Sequence, residues 1–395
     1  MKGFYFKGMA AGIKKDGKKD LGLIFSARPA SAAALFTKNS VVAAPVIIGR
    51  DKIRSGLCQA VVVNSGNANC FTGDRGINDT ERIAALAAKE LKIPESLIMV
   101  SSTGVIGAPL PMERFIEAMP ELTRRLTHEE ESASDHMDDF ARAILTTDLR
   151  VKVIQKECAI RGEKFTIAGI AKGSGMIRPN MATMLAFICT DIDIPATLLK
   201  SSLKIACDRS FNRISVDGDT STNDMILAMA NGMSGTVLEE SDDAIEFQNI
   251  LDEVMLGLAR MVVMDGEGAT KLVKIEVKGA RSPEDAYMAA DAIAHSNLVK
   301  TAIYGEDPNW GRITAAAGRS GAEVVQDKMD LYFGDTALVK QGVWQGQDAE
   351  KRAAEIMKAH ELGIVLDLNL GHFSDFYIFC DFSENYVKIN ADYRS

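Results

Sequence analysis

The sequence predicts a mixed fold of the α/β (α+β) class in a chain of 395 residues. Two patterns lead to this prediction. Short, continuously apolar runs of strand length recur along the chain, and segments with apolar residues three and four positions apart lie between them. Strands and helices that alternate in this way favour helices layered on a sheet. Apolar residues make up 47% of the chain and charged residues 25%, which is typical of a folded protein.

The first half of the chain gives the clearest elements. QAVVVNSGNAN (Gln59–Asn69) is an apolar run that enters a polar loop, as a central strand does. NDTERIAALAAKELKIP follows as an amphipathic helix, with Asp79 or Thr80 as its cap and Pro94 at its end. LIMVSSTGVIG is the next strand and leads into a turn of small residues. Two more helices are predicted at Pro111–Leu126 and at about Asp135–Thr146.

The remaining elements continue the alternation. VKVIQKECAI, RGEK and FTIAGIA read as strand, turn and strand of a hairpin. ATLLKSSLKIACDRSF and AIEFQNILDEVMLGLARMVV have helical periodicity, LGIVLDLNLG alternates as a half-buried strand does, and FYIFCDF with YVKIN predicts a closing hairpin. The weakest join lies near VKGARSPEDA (Val277–Ala286). We therefore expect a core at 1–280 and a smaller C-terminal α+β subdomain at 281–395.

Charge and composition exclude several functions. The formal net charge is −9 and no basic run is present, which argues against nucleic acid or an anionic membrane as the main partner. No stretch of about 18 apolar residues occurs, so no membrane span is expected, and the lysine-rich start does not resemble a signal peptide. The six cysteines are scattered without metal or disulfide spacing. These features favour the cytoplasm.

Several segments resemble familiar motifs but lack residues that those motifs require. GSGMIR lacks the third glycine of a dinucleotide-binding loop, and DGEGATK lacks the spacing of a phosphate-binding loop. DGDTSTND resembles a calcium loop, but Thr222 stands where that loop needs glycine. The five histidines never fall at metal-ligand spacing. The sequence does not exclude a histidine-based catalytic triad, although no local motif indicates one.

A set of polar, glycine-containing clusters remains unexplained by packing. They are NSGNAN, SSTGVIG, TTD, AKGSGMIRPNMATML, NRISVDGDTSTND, DGEGATK and DPNWGRI. In the fourth of these, Thr183 heads an apolar run directly behind a flexible Gly/Pro segment. Threonine is also an ordinary strand residue, and each cluster taken alone is compatible with simple turns. Together the clusters indicate a site built from hydroxyls, backbone groups and a few charges.

KGSGMIRPNMATMLAF, together with VDGDTSTND, DGEGATK, DPNWGRI and the terminal YVKINADYRS, resembles glutamate N-acetyltransferase of arginine biosynthesis, also called ornithine acetyltransferase. The resemblance spans essentially the whole chain. It implies an αββα sandwich similar to that of a group of self-processing aminopeptidases with an N-terminal nucleophile. It also implies cleavage between Ala182 and Thr183 into an α chain (1–182) and a β chain (183–395), assembled as a heterotetramer.

The resemblance assigns roles to individual residues. Thr183 is the nucleophile, Thr103 and Gly104 form the oxyanion hole, and no metal or organic cofactor is implied. The substrates are N2-acetylornithine and glutamate, and some family members also use acetyl-CoA, which the sequence leaves open while the frequency of such members favours it. The substrate-binding positions are Thr146, Lys172, Thr183, Glu267, Asn390 and Ser395. The family usually has threonine at the last of these positions, so Ser395 keeps only the hydroxyl.

The chemistry fits that assignment. A threonine hydroxyl needs a base beside it, and cleavage before Thr183 would create one in the new α-amino group. An unperturbed α-amine titrates at about 7.7–8.0, so part of it is neutral near pH 7. Two alternatives remain at this point. One is a related self-processing aminopeptidase or amidohydrolase, and the other is a binding or assembly protein in which Thr183 is only a strand residue.

Overall fold

The computed structural model describes residues 1–127, 133–178, 184–238 and 241–391. The strands in these ranges are β1 (Phe4–Met9), β2 (Leu21–Phe36), β3 (Leu57–Asn67), β4 (Ile98–Val105), β5 (Lys152–Ile160), β6 (Glu163–Lys172), β7 (Leu185–Thr190), β8 (Ile214–Ser215), β9 (Met225–Ala230), β10 (Leu272–Ala280), β11 (Asp330–Phe333), β12 (Thr336–Lys340), β13 (Val343–Trp344), β14 (Glu361–Asp367) and β15 (Phe373–Cys380). The helices are α1 (Ala44–Lys52), α2 (Gly73–Leu91), α3 (Met112–Arg124), α4 (Ala133–Ala143), α5 (Ala196–Asp208), α6 (Ser241–Met264), α7 (Pro283–Ala294), α8 (Asn297–Tyr304), α9 (Trp310–Gly318), α10 (Gln347–Met357) and α11 (Glu384–Ala391). The mixed class predicted from the sequence is confirmed.

The chain divides into two compact units. The first contains Met1–Asn212 and Asp219–Val262, and the second contains Arg213–Gly218 and Val263–Ser395. The sequence analysis started the C-terminal subdomain at 281. In the structure β10 is a central strand of the second unit's sheet, so that unit takes in residues before the expected join.

The sheet of the first unit has the strand order β4-β3-β2-β9-β7-β6-β5, with β1 paired to β2. Successive side chains of β3 enter two different cores. Val62 packs with Phe115 of α3 on one face, while Val61 and Val63 pack with Phe140 of α4 on the other. Because both faces are buried, the strand reads as a continuous apolar run.

The ends of five strands in this sheet define the region of interest. β3 and β4 run parallel, with Gly66 opposite Gly104. β6 runs antiparallel to β7, with Lys172 opposite Leu185, and β7 runs parallel to β9, with Leu185 opposite Met225. The motif residues therefore lie on two groups of adjacent strands, β4-β3 and β9-β7-β6, which β2 separates.

The sheet of the second unit has the order β13-β12-β11-β14-β10-β15-β8. β10 pairs parallel with β14 and antiparallel with β15. Its core contains Val273, Ile275 and Val277 of β10 together with Ala286 and Ile293 of α7.

Most of the expected elements are confirmed, including the strand in QAVVVNSGNAN, the strand in LIMVSSTGVIG and the hairpin of β5 and β6. Two details were wrong. α2 begins at Gly73, so Asp79 and Thr80 lie inside the helix and cap nothing. YVKIN lies in α11 instead of a strand, because both edges of β15 are already occupied by β10 and β8.

The length and apolar character of the helices decide whether any of them could span a membrane. Across the four described ranges, none of the helices combines the length and apolar character needed to cross a bilayer.

Candidate active site

Three residues assigned from the sequence meet at the ammonium group of Lys172. This lysine ends β6 and is only 7% exposed. Its Nζ donates a hydrogen bond to Thr146 Oγ1 at 2.8 Å and lies 3.4 Å from Thr103 Oγ1. The motifs SSTGVIG, TTD and AKGSG are therefore joined at one point of the first unit.

Asp148 supplies the negative charge that a buried lysine needs. Its Oδ2 lies 3.8 Å from Lys172 Nζ. Its Oδ1 accepts hydrogen bonds from Lys152 Nζ at 2.8 Å and from the Gly173 N–H at 2.6 Å. Burial raises the pKa of Asp148, but the charges of Lys172 and Lys152 and the hydrogen bonds to the carboxylate outweigh burial and hold this pKa well below its usual range.

Two lysines of this group contact the same carboxylate. Lys152 and Lys172 both lie close to Asp148. Lys152 is 1% exposed and bound to Asp148 Oδ1, whereas Lys172 is the more distant partner. The ammonium group of Lys172 is of a type that binds small anions such as a carboxylate. Sequence reasoning missed Asp148 and Lys152, although the TTD motif contains the aspartate.

Thr103 and Gly104 occupy the end of β4. Gly104 has φ +132°, and a Cβ there would overlap the Gly66 backbone and come 2.5 Å from the Asn67 nitrogen. The strand register also shifts between Gly66 and Asn67. The close approach of the two strands therefore requires glycine at this position and fixes the backbone directly after Thr103.

Buried amides tie this strand end to the segment before β9. Asn223 Nδ2 donates to the Ser102 carbonyl at 2.8 Å and to the Ala68 carbonyl at 2.5 Å. Ser102 Oγ donates to Asn64 Oδ1 at 2.6 Å. The clusters NSGNAN and VDGDTSTND were flagged for excess polarity, and the structure gives a reason for it. The Asn223 amide supplies a donor to two buried backbone carbonyls, one just after β3 and one within β4.

The chain enters β7 beside these groups. Leu185 is opposite Lys172 in the sheet, and the Met184 carbonyl accepts a hydrogen bond from the Met225 N–H at 3.0 Å. The predicted cleavage residues Ala182 and Thr183 lie outside the described residues, but Thr183 is covalently joined to Met184. The described part of the chain thus brings the residue after Thr183 to the same strand ends as Lys172.

Asp224 is a second buried acid next to this point and was not assigned from the sequence. It is 2% exposed, and within the described ranges its Oδ2 has no hydrogen-bond partner. Burial raises the pKa of Asp224 well above its usual range, although hydrogen bonding to Ser221 and the charge of Lys172 lower it. The carboxyl is therefore favoured in its neutral, protonated form.

Two further predicted residues meet in the second unit. Asn390 Nδ2, on α11, donates to Glu267 Oε2 at 2.8 Å. Glu267 is 8% exposed and follows the end of α6. The side-chain partner that the structure gives this glutamate is therefore Asn390.

A glycine turn places Glu267 against α11. Gly268 has φ +70°, and a Cβ there would come 2.5 Å from the Tyr386 nitrogen. Ser383 Oγ donates to the Gly268 carbonyl at 2.6 Å. The DGEGATK motif is therefore a tight turn against the start of the last helix, which explains its glycines without a phosphate.

Three points remain: the last predicted residue, a metal site and the reactivity of a cysteine. Ser395 lies outside the described residues. Within the described ranges, no group of three or more His, Cys, Asp or Glu side chains is arranged to hold a metal ion. Burial raises the pKa of the Cys58 thiol to about 12, so this cysteine is not a ready nucleophile.

Comparison with known proteins identifies the family of this chain. Residues 5–395 match the ArgJ family. The chain belongs to the ArgJ family. It is 50% identical over 397 residues to the arginine biosynthesis bifunctional protein ArgJ of Geobacter sulfurreducens, with both chains covered completely. It is 45% identical over 399 residues to the glutamate N-acetyltransferase of Methanocaldococcus jannaschii, which covers 98% of this chain and 97% of the relative.

A solved ArgJ structure agrees. The crystal structure of the arginine biosynthesis bifunctional protein ArgJ from Bacillus halodurans matches with 42% identity and a TM-score of 0.50. The match covers 52% of this chain and 97% of the solved chain. The predicted family and fold type are thus confirmed, and so is the enzyme class. This ArgJ-family chain is an acyltransferase of arginine biosynthesis.

Proposed function

We propose that this enzyme transfers acetyl from N2-acetylornithine to glutamate through an acetyl ester on Thr183, after cutting its own chain. The observation that carries the proposal is the contact of Lys172 with Thr146 and Thr103 at the strand ends where β7 begins. A cation, two hydroxyls and a glycine-shaped backbone there suit a carboxylate substrate and an acyl-transfer step.

Self-cleavage would come first. Thr183 Oγ attacks the Ala182 carbonyl carbon, the amide bond to Thr183 breaks, and the hydroxyl proton passes to the released amine. An ester then joins Ala182 to Thr183 Oγ, and water hydrolyses it. The products are a carboxyl-terminal Ala182 and a Thr183 that carries both a free hydroxyl and a free α-amine. This amine can act as the base, so the proposed mechanism requires no histidine.

The half-length match of the solved relative supports this step. Nearly all of that chain corresponds to about half of the present one. The expected β chain, 183–395, would also hold slightly more than half of the residues. A precursor that is cut before Thr183 would yield a chain of that length.

Acetyl transfer would follow a ping-pong route. Thr183 Oγ attacks the acetyl carbonyl of N2-acetylornithine, the amide bond breaks, and ornithine leaves with the proton. The glutamate amine then attacks the acetyl ester, the ester bond breaks, and the Thr183 hydroxyl is restored. Thr103 and Gly104 would stabilise the oxyanion in both steps. Loss of one such donor typically raises a barrier by about 3–4 kcal/mol.

The substrate groups match the charges of the predicted residues. Lys172 would bind the α-carboxylate, and Thr146 would support it through the hydrogen bond already present. Glu267 would pair with the side-chain ammonium of ornithine, with Asn390 holding the carboxylate in place. Ser395 would add a hydroxyl.

The proposal extends to the assembly of the two pieces, their location and a second acetyl donor. We propose that the two pieces form a heterotetramer in the cytoplasm. We further propose that acetyl-CoA also serves as an acetyl donor, since the Geobacter relative is named a bifunctional protein.

An intact-mass measurement tests the proposal directly. The uncut chain has a mass of 42.7 kDa, and cleavage would replace it by two pieces whose masses fix the site. Purified protein would then be given acetylornithine with and without glutamate. We expect acetylglutamate only with glutamate present, and we expect Thr183→Ala to stay whole and inactive. Free acetate at equal rates in both assays would show a hydrolase instead.

A further inference from the structure

We propose that Lys14 is a second cation of the substrate site and binds the carboxylate of the acceptor that Lys172 does not hold. This inference rests on the proposed function, because it concerns glutamate as acceptor. Glutamate has two carboxylates and acetylornithine has one. The site therefore needs a further cation for one substrate only.

Lys14 borders the Lys172 cluster on the side of Thr146. Its Nζ donates to the Leu145 carbonyl at 2.7 Å and to the Lys19 carbonyl at 3.0 Å. Leu145 is joined directly to Thr146, whose hydroxyl bonds to Lys172. The two ammonium groups thus attach to successive residues of one short segment.

Lys14 also borders the oxyanion pair. Its Cγ lies where it would be 2.9 Å from a Cβ on Gly66, so the side chain runs closely over this glycine. Gly66 is opposite Gly104 in the sheet. Lys14, in the loop between β1 and β2, therefore runs over the residue opposite Gly104, while Lys172 Nζ lies 3.4 Å from Thr103 Oγ1.

The loop that carries Lys14 is held firmly. The Asp20 carboxylate is fully buried and accepts the N–H groups of Ala11, Ile13 and Lys14 at 2.6, 2.6 and 2.8 Å. Because three backbone N–H groups converge on one carboxylate, the loop has one defined shape. The position of Lys14 is thus built into the fold.

Lys14 has capacity left for a ligand. An ammonium has three N–H donors, and two of them are used by carbonyls within the described residues. Burial lowers the pKa of Lys14 below its ordinary value, although the charges of Asp20 and Asp16 partly oppose this. Lys152 is the other nearby cation, but it is 1% exposed and bound to Asp148. A second substrate carboxylate would therefore be better served by Lys14.

The test compares glutamate with glutamine, which has the same length but lacks the side-chain carboxylate. Acetylornithine is the donor, and kcat/KM is measured for each acceptor. We expect Lys14→Met to lower the value for glutamate about tenfold or more, which is the loss of one charged hydrogen bond, and to change that for glutamine by less than about threefold. Lys15→Met is the matched control, because Lys15 is the exposed neighbour in the same loop.

Lys14→Gln gives a second reading if the methionine variant folds poorly. Its amide can still donate to the Leu145 carbonyl while the charge is absent, and circular dichroism reports folding. Equal losses for both acceptors in either variant would show that Lys14 only braces the loop, and unchanged preference would exclude it from the site. If the wild-type enzyme moves no acetyl to either acceptor, the proposed function fails instead.

Discussion

Asp148 and Lys152 form a 2.8 Å salt bridge in which the two side chains are 0% and 1% exposed. Removing the aspartate charge would take away a buried negative charge that both Lys152 and Lys172 contact. We therefore expect Asp148→Asn to lower the free energy of unfolding by about 3–5 kcal/mol, as measured by urea denaturation. Asp138→Asn is the control, because Asp138 forms a 2.6 Å pair with Arg142 at the surface. That change should cost less than about 1 kcal/mol.

The same pair predicts a pH dependence. The pKa of Asp148 is lowered in the folded protein, whereas an unfolded aspartate titrates at about 3.9. Its stabilisation is complete above about pH 4 and is lost as the pH falls below this value towards the folded-state pKa. In urea titrations, the stability difference between wild type and Asp148→Asn should stay level from pH 7 to about pH 4 and narrow below. A difference that changes mainly near neutral pH would contradict this assignment.

Local patterns predicted much of the fold because they report burial. The apolar run Val61–Val63 lies between two cores, and its sequence shows this directly. YVKIN could not be assigned in the same way. Five residues do not separate a strand from a helix, and the deciding fact is that both edges of β15 are occupied by strands from elsewhere in the chain.

The candidate site likewise contains some residues that the sequence predicted and some that it did not. Lys172, Thr146 and Thr103 were found through family motifs, and the structure joins them by hydrogen bonds. Asn223 was missed because its partners are distant in sequence. Asn223 contacts the Ala68 carbonyl 155 positions away, and no local spacing reports such a contact.

Gly104 offers a test of the oxyanion hole. Alanine at this position would have φ +132° and would overlap the Gly66 backbone, so the end of β4 must shift. We expect Gly104→Ala to lower kcat about 100-fold or more, because the donor after Thr103 is displaced. Gly107→Ala is the control, since Gly107 also has positive φ at +91° but has no atom within 4 Å of an added Cβ. If both variants lose activity equally, backbone strain and not the close approach is responsible.

Asn223 is expected to affect both stability and catalysis. Asn223→Ala leaves the carbonyls of Ala68 and Ser102 without their donor, and each unpaired buried group costs about 1–3 kcal/mol. Urea denaturation should show a loss of about 2–4 kcal/mol, and kcat should fall because Ser102 directly precedes Thr103. Asn249→Ala is an exposed control on α6. Normal kcat in a destabilised Asn223→Ala would limit this residue to a structural role.

Glu267 should discriminate between donor and acceptor. Its carboxylate accepts a hydrogen bond from Asn390 at 2.8 Å, and Glu267→Gln can keep that contact through its amide oxygen while removing the charge. The ornithine side chain is cationic and that of glutamate is anionic. We therefore expect the variant to raise KM for acetylornithine about tenfold, the value of one charge-assisted hydrogen bond, and to leave KM for glutamate unchanged or lower.

Steady-state assays that vary one substrate at a time measure these two constants separately. Glu284→Gln, an exposed position on α7, should change neither constant and serves as the matched control. A parallel rise in both KM values would mean that the charge of Glu267 supports the turn at Gly268 and not the substrate. The opposite responses of a cationic and an anionic side chain are what a charge in contact with the ligand must produce, because Coulomb energy changes sign with the charge.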